Sequence, residues 1–204
     1  MRKTRISLLV SGASGHPIFI KLLECLLIAD CYVQVVFSKD ALISFAQEMD
    51  CALSSNPEHC RDILIKNYNL PKSENLIIYG NADWYSPLAS GSGAADYTIV
   101  CPCSMSSLAK IAYGISESLL LRAVDVAIKE SKPVLIVPRE TPLSAIHLEN
   151  MLKLANIGVR IIPPVPAFYT HPKSVSDIIL FIVVKIMDQI NLDQPRLIPE
   201  WGNN

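Results

Sequence analysis

Charged side chains lie where predicted strands and helices begin or end, and their arrangement suits chemistry on a small anion. Arg122 and Lys129 are seven residues apart on one predicted helix, so their side chains share a face. Arg139 and Glu140 follow the predicted strand 133–137, at the edge of a parallel sheet where ligands bind. Two cations on one face favour an anionic ligand, although solvated helix charges remain the alternative.

Two other charged residues lie on predicted helices, where either solvent or a ligand accounts for them. Lys185 shares a helical face with Ile178, Phe181 and Ile182, so it either reaches solvent or is held for an anion. Glu48 lies late in its predicted helix, and solvation alone would explain it.

A turn of small residues at 11–15, Ser-Gly-Ala-Ser-Gly, separates an apolar run at 6–10 from a helical pattern. Strand, turn and helix in this order place free backbone N–H groups and a helix N-terminus against a phosphate. Gly12 allows close backbone approach and Ser14 adds a hydroxyl. The dinucleotide and P-loop spacings are both missing, so a mononucleotide site fits better. A tight turn without a ligand is an equal alternative.

Serines also follow the second and fourth predicted strands. Ser38 either contacts a ligand or caps the next helix. Ser104, Ser106 and Ser107 crowd the start of one helix, where capping needs a single hydroxyl. The surplus favours a phosphate or the polar edge of a flat ring.

Three aromatic residues are candidates for covering a ligand. Trp84 lies in the glycine- and serine-rich segment 80–93, which is either a mobile loop over a ligand or a surface loop with one anchoring Trp. Tyr169 follows a proline-stiffened segment that would present it rigidly. Trp201, near the end of the chain, is a residue that a neighbouring subunit can bury.

Strands and helices alternate along the whole chain without a linker or internal repeat. This pattern predicts one domain over residues 1–204, a three-layer, Rossmann-like α/β fold with a doubly wound, mostly parallel sheet. Pro102 is expected to end the fourth strand because it has no N–H. The predicted strands are 6–10, 32–37, 75–79, 97–101, 133–137 and 159–162. Predicted helices follow residues 15 and 104 and cover 40–49, 59–68, 118–129, 143–157 and 174–190.

The composition favours an apolar enzyme or binding protein of the cytoplasm. Half of the 204 residues are hydrophobic, 18% are charged and the net charge is −1, so nucleic acid is not expected as a partner. The first strand begins too early for a signal peptide, and the longest apolar run, 178–187, is too short to span a membrane. The apolar excess can also supply a subunit interface.

The six cysteines and four histidines do not form a metal-binding pattern. No C-x-x-C pair occurs, so no metal is expected and the cysteines are interpreted as buried free thiols.

Several motifs, in order along the chain, resemble the flavin prenyltransferase family of UbiX type, formerly named phenylacrylic acid or 3-octaprenyl-4-hydroxybenzoate carboxy-lyases. They span residues 5–201, and the ordered set is more specific than any member. The motifs are Ser11-Gly-Ala-Ser-Gly15, Ser38-Lys39, Ala89-Ser-Gly-Ser92, Cys101-Pro-Cys-Ser104, Leu121-Arg-Ala-Val-Asp-Val126, Pro138-Arg-Glu-Thr-Pro-Leu143 and Pro163-Pro-Val-Pro-Ala-Phe-Tyr169.

The resemblance implies a flavoprotein-type fold and a metal-independent enzyme that joins a dimethylallyl group to N5 and C6 of reduced FMN. The donor would be dimethylallyl monophosphate, and a UbiD-type decarboxylase, in ubiquinone biosynthesis or aromatic acid decarboxylation, would use the prenylated FMN. The family also implies a homo-oligomer, a dodecamer with sites at subunit contacts.

The resemblance assigns roles to residues by their positions in the motifs. The FMN residues would be Gly12, Ala13, Ser14, Ser38, Ser104, Met105, Ser106, Ser107 and Arg139. The substrate residues would be Trp84, Ser90, Gly91, Tyr169, Lys185 and Trp201. The catalytic residues would be Arg122, Lys129, Glu140 and Glu48. The cations would stabilise the leaving phosphate, the tryptophans would face the allylic cation, and the carboxylates would move protons.

The chain departs from the family at two places. Lys185 stands where Arg is frequent, and Ser106 and Ser107 replace the usual Lys-Thr or Gly-Thr. Two alternatives remain: a cysteine-type decarboxylase of similar fold, which needs a catalytic His and a Pro-Ala-Ser-Ala-Asn-type motif, and a non-catalytic FMN-binding module, which needs none of the substrate residues.

Overall fold

A computed structural model describes residues 2–192, which form a parallel sheet with helices on both faces. The strands are β1 Arg5–Val10, β2 Tyr32–Phe37, β3 Leu76–Tyr79, β4 Tyr97–Cys103, β5 Val134–Pro138 and β6 Arg160–Ile161. The helices are α1 His16–Ile28, α2 Lys39–Met49, α3 Pro57–Tyr68, α4 Met105–Ala112, α5 Leu119–Lys129, α6 Ala145–Asn156 and α7 Val175–Met187.

The sheet has the strand order β3-β2-β1-β4-β5-β6, and every pair is parallel. The chain direction across the sheet reverses between β1 and β4. In doubly wound sheets ligands bind in the crevice outside the carboxyl ends of the strands at this point. The predicted fold class is confirmed, and the candidate site lies at this edge.

Alternate side chains of each strand point to opposite faces, so the sheet buries apolar residues on both sides. Ile6 and Leu8 of β1 lie in the core formed with α1 and α7, whereas Leu9 lies in the core formed with α4 and α5. Each of these side chains is fully buried. Complete burial of one such side chain contributes about 1.5–3 kcal/mol, and this two-sided burial fixes the strand ends that carry the site.

Serine side chains cap five of the helices. In each case the hydroxyl oxygen accepts a hydrogen bond from the backbone N–H three residues later, which satisfies a donor at the helix start. Of the two roles weighed for Ser38, the structure shows the cap of α2, and it shows the expected cap of α4 by Ser104. The serines predicted as the first residues of α5 and α7 are caps. The capping serines are Ser38, Ser104, Ser118, Ser144 and Ser174.

The prediction that Pro102 ends the fourth strand is wrong. Strand β4 continues to Cys103, and its pairing with β5 shifts in register between Val100 and Cys103. A proline is tolerated in a strand at such an irregularity because its missing N–H leaves no ladder partner unpaired. The carbonyl oxygen of Pro102 instead accepts a hydrogen bond from the backbone N–H of Ser11, at 3.2 Å.

Candidate active site

Ser11 joins the two strand ends at the reversal point of the sheet. Its Oγ accepts a hydrogen bond from the backbone N–H of Ser104 at 2.7 Å and donates one to the carbonyl oxygen of Pro102 at 3.2 Å. Ser11 is fully buried. The predicted phosphate turn after β1 and the predicted hydroxyl cluster before α4 are therefore held against each other.

The turn after β1 packs tightly against the start of α2. A Cβ atom added to Gly12 would lie 2.4 Å from Cβ of Asp40, so only glycine fits here. Ala13 is buried and donates its N–H to the carbonyl of Ser11 at 2.8 Å. The turn thus packs directly against Asp40 in the first turn of α2.

Glu48 covers the N-terminus of α1, where the sequence predicted a phosphate. Its carboxylate accepts hydrogen bonds from the backbone N–H of Gly15, with both N–O distances at 3.0 Å, and from Oγ of Ser14 at 3.2 Å. A negative group is stabilised at a helix N-terminus by unpaired N–H groups and by the helix dipole. The structure therefore brings Glu48, a predicted catalytic residue, into contact with Ser14 of the predicted FMN turn.

The hydroxyl cluster at the start of α4 is partly used for capping. Ser104 Oγ accepts from the N–H of Ser107 at 3.2 Å and donates to Ser107 Oγ at 3.1 Å. Ser106 is exposed and Met105 is buried. The hydroxyl of Ser106 is thus the one that projects from the protein at this helix start.

Arg139 and Glu140 leave the end of β5 next to the same crevice. The N–H of Arg139 donates to the carbonyl of Cys103 at 3.1 Å, so Arg139 follows directly beside the end of β4. Its guanidinium lies 3.9 Å from the carboxylate of Glu140, which accepts from the N–H of Thr141 at 3.1 Å. Both side chains are exposed. The strand-end group, as we name it, comprises residues 11–15, 38, 48, 104–107, 139 and 140.

A second group lies on α5 and the loop before β4. Arg122 donates from Nε to the carbonyl of Ala89 at 3.2 Å and forms an ion pair with Asp125 at 2.8 Å. Gly91 of the same loop faces Glu130, which pairs with Lys129 at 2.8 Å. Seven residues of helix separate Arg122 from Lys129 by about 10 Å along the axis. Lys129 lies in the last turn of α5. The two cations therefore share a helical face but are too far apart to bind one small anion together.

Exposed side chains complete this loop group, which comprises residues 84–91 with Arg122 and Lys129. The hydroxyls of Ser90 and Ser92 are 3.3 Å apart, and both residues are exposed. Trp84 is 49% exposed. The indole is therefore accessible to a ligand or to a neighbouring molecule.

The third group, around α7, consists of Tyr169 and Lys185 with the ring of Phe181 between them. The rings of Tyr169 and Phe181 meet edge to face with centroids 6.1 Å apart. Nζ of Lys185 lies 5.6 Å from the Phe181 centroid and 3.5 Å from the carboxylate of Asp188. Trp201 lies outside the described residues.

Three comparisons with known proteins identify the family. A family model described as Flavoprotein matches residues 1–187. Flavin prenyltransferase UbiX of Pseudomonas aeruginosa is 41% identical over 198 residues, which cover 97% of this chain and 94% of that protein. The chain belongs to the UbiX family of flavin prenyltransferases.

Two solved structures of UbiX proteins have the same fold. A dodecameric FMN-dependent UbiX-like decarboxylase of Escherichia coli O157:H7 is 36% identical with a TM-score of 0.82, covering 97% of this chain and 99% of that one. AnUbiX in complex with FMN and dimethylallyl pyrophosphate is 36% identical with a TM-score of 0.80, covering 92% of each chain. The resemblance drawn from the sequence motifs is confirmed, and so is the expectation of a flavoprotein of this family.

The cysteines of the Cys-Pro-Cys-Ser motif are structural in this UbiX family member. Cys101 and Cys103 are fully buried, and burial raises the pKa of both thiols, that of Cys103 to about 12. Both are therefore protonated at neutral pH and poor nucleophiles. Among residues 2–192 no group of three or more His, Cys, Asp and Glu side chains could hold a metal ion. Within the same residues no helix is long and apolar enough to cross a membrane.

Sequence reasoning missed the roles of Ser11 and Asp40. Ser11 directly follows an apolar strand, and its burial between two strand ends could not be derived from spacing. Asp40 packs against Gly12 of the strand-end group from the first turn of α2. The sequence predicts that an acidic residue is favoured in this first turn, but it does not predict the contact with Gly12.

Proposed function

We propose that this protein joins the dimethylallyl group of dimethylallyl monophosphate to N5 and C6 of reduced FMN. The single observation that supports it best is the contact between Glu48, Ser14 and Gly15 beside the Gly12 cradle. In this contact Glu48, a carboxylate that could move a proton, lies beside Ser14 and Gly15 of the turn that we assign to FMN.

The strand-end group fits FMN by its donors and its shape. The Glu48 carboxylate already binds Oγ of Ser14 and the N–H of Gly15. FMN would therefore be held by the remaining backbone of the turn, together with the hydroxyls of Ser38 and Ser106 at the same sheet edge. Ser38 can still donate its hydroxyl hydrogen, because its oxygen acts as the acceptor in capping. We assign Arg139 to the same site, where a guanidinium offers paired donors to an anion or carbonyl. Bound FMN supplies the ring atoms that accept the prenyl group.

The residues of this chain would then act on the leaving group and on protons. When the C–O bond of the prenyl phosphate breaks, its electrons leave with the phosphate, and nearby cations stabilise the released anion. We assign Arg122, Lys129 and Lys185 to this task. Bonding to N5 and C6 would release the proton that each atom carries, and closing the ring would add one proton to the prenyl chain; we assign these transfers to Glu140 and Glu48. Tyr169, Ser90, Gly91, Trp84 and Trp201 would line the prenyl phosphate site.

Assembly into a homo-oligomer is part of the proposal, because one protomer holds these residues in three groups. Lys129 lies at the far end of α5 from the strand-end group, so a neighbouring subunit would supply cations to the site. The exposed apolar side chains of α6 support such contacts: they are exposed by 67%, 52% and 61% at Ile146, Leu148 and Leu152. The E. coli neighbour is described as dodecameric, which supports the same state for this chain.

The product, its user and the compartment complete the proposal. Prenylated FMN would serve a UbiD-type decarboxylase. A cytoplasmic location is supported by six cysteines that are all free in the described structure, as expected in a reducing compartment.

Anaerobic incubation with reduced FMN and dimethylallyl monophosphate tests the function. We expect mass spectrometry to find flavin heavier by one C5H8 unit and the extract to activate an apo UbiD-type decarboxylase. Parallel reactions with the diphosphate decide the donor. Unmodified FMN in both reactions would contradict the proposal.

A further inference from the structure

His16 is a fully buried histidine and the first residue of α1, next to Glu48 of α2. Its Nε2 lies 2.8 Å from Oγ of Ser44 and 4.0 Å from a carboxylate oxygen of Glu48. Its ring meets Phe45 edge to face at a centroid distance of 5.1 Å. Packing of an apolar core would require only an apolar side chain at this position. The three contacts of the imidazole with α2 therefore indicate a further role for His16.

We assign the proton of His16 to Nε2 from the hydrogen-bond pattern. With Ser44 Oγ donating to the carbonyl of Ala41 at 3.3 Å, its oxygen accepts from Nε2–H. Nδ1 is then the unprotonated nitrogen, and it is buried without a hydrogen-bond partner among the described residues. The ring is thus held in one orientation by its bond to Ser44.

The imidazole is neutral at physiological pH. Burial lowers the pKa of His16 below its usual value of 6.5, and the nearby carboxylate of Glu48, the charged group that acts on it, opposes this only in part. A neutral ring does not neutralise the charge of Glu48. The carboxylate therefore keeps its hydrogen bonds to the N–H of Gly15 as its main stabilising contacts.

We propose that His16 is a positioning residue for Glu48: through Ser44 it locks α2 against α1, so that the Glu48 carboxylate lies beside Ser14. Ser44 and Glu48 are four residues apart on α2 and share one face. The backbone N–H of His16 also donates to Glu48, at 3.4 Å. His16 thus contacts α2 at two successive turns, at Ser44 and at Glu48. The inference rests on the proposed function only because that function assigns a proton transfer to Glu48.

Three variants separate positioning from packing. His16→Gln keeps an N–H donor near the place of Nε2, His16→Leu keeps apolar volume without a donor, and Ser44→Ala removes the acceptor while keeping the ring. We expect kcat for FMN prenylation to fall by about 10-fold to 100-fold in His16→Leu and Ser44→Ala, as for a misplaced catalytic group. We expect His16→Gln to restore kcat. His59→Gln, at an exposed position, is the matched control.

Two measurements do not depend on turnover. Crystal structures should show the Glu48 carboxylate displaced from Gly15 in His16→Leu and Ser44→Ala but not in His16→Gln. Magic-angle-spinning 15N NMR at pH 7 should show that the histidine signal lost in His16→Gln comes from a neutral ring protonated at Nε2. These results would support the inference even if no prenylated flavin formed, an outcome that would refute the proposed function alone. If Glu48 stays in place and kcat stays normal in both His16→Leu and Ser44→Ala, or if NMR shows the other tautomer, the inference is wrong.

Discussion

Replacement of Gly12 by alanine is expected to displace the turn that we assign to the FMN phosphate. The new Cβ would lie 2.4 Å from Cβ of Asp40, whereas ordinary contacts begin at 3.4 Å. Either the turn or α2 must therefore move by about 1 Å, and overpacking of this kind costs about 1–3 kcal/mol. For a chain of this length, the melting temperature should fall by about 2 to 12 °C.

The same displacement should weaken FMN binding by at least about 10-fold, which corresponds to about 1.4 kcal/mol. Flavin fluorescence titration gives the dissociation constant, and calorimetry without FMN gives the melting temperature. Gly80→Ala is the control, because its Cβ would lie 3.8 Å from Cγ of Pro57, in ordinary contact. If Gly12→Ala matched this control in both measurements, the close approach of the turn to α2 would not support the site.

Three further predictions concern catalysis, pH and assembly. Glu140→Gln should keep FMN affinity but stall product formation in the mass-spectrometric assay, and normal turnover would remove Glu140 from the mechanism. Because the pKa of His16 is lowered from 6.5, the unfolded chain binds a proton before the folded chain does; the free energy of unfolding should fall as pH drops below about 6.5, by at most about 1.4 kcal/mol per pH unit. Urea titrations of His16→Gln should lack that component, and an identical pH dependence would contradict the assignment. Leu152→Glu, on the exposed face of α6, should dissociate the oligomer, as measured by light scattering. If the protein without this substitution is already a monomer, the proposed interface is wrong.

The sheet could be predicted because its strands are short, mostly apolar and rich in β-branched residues, as the three valines of β2 show. The end of β4 could not, since the local rule for Pro102 is overridden by pairing with β5 and by its contact with Ser11. Local patterns state what a residue prefers, and tertiary pairing decides between competing preferences.

The positions of the candidate site residues were predictable only where they follow strand ends. Ser38, Ser104 and Arg139 meet the sheet edge because parallel strands share it. The contact of Glu48 with Gly15 spans 33 residues of sequence and depends on how α2 packs on α1. Neither hydrophobic periodicity nor motif spacing carries that information.

The ion pairs of Arg122 with Asp125, Lys129 with Glu130 and Lys185 with Asp188 have a consequence for turnover. If these cations hold the prenyl phosphate as proposed, that phosphate would exchange with a carboxylate already bonded to each cation, and the free energy gained would be a difference between two similar half-exposed ion pairs. After the proposed reaction the carboxylate would return to its cation as inorganic phosphate departs. Such an exchange gives weak retention of the leaving anion and a shallow dependence on ionic strength, because salt screens the old and the new pair alike.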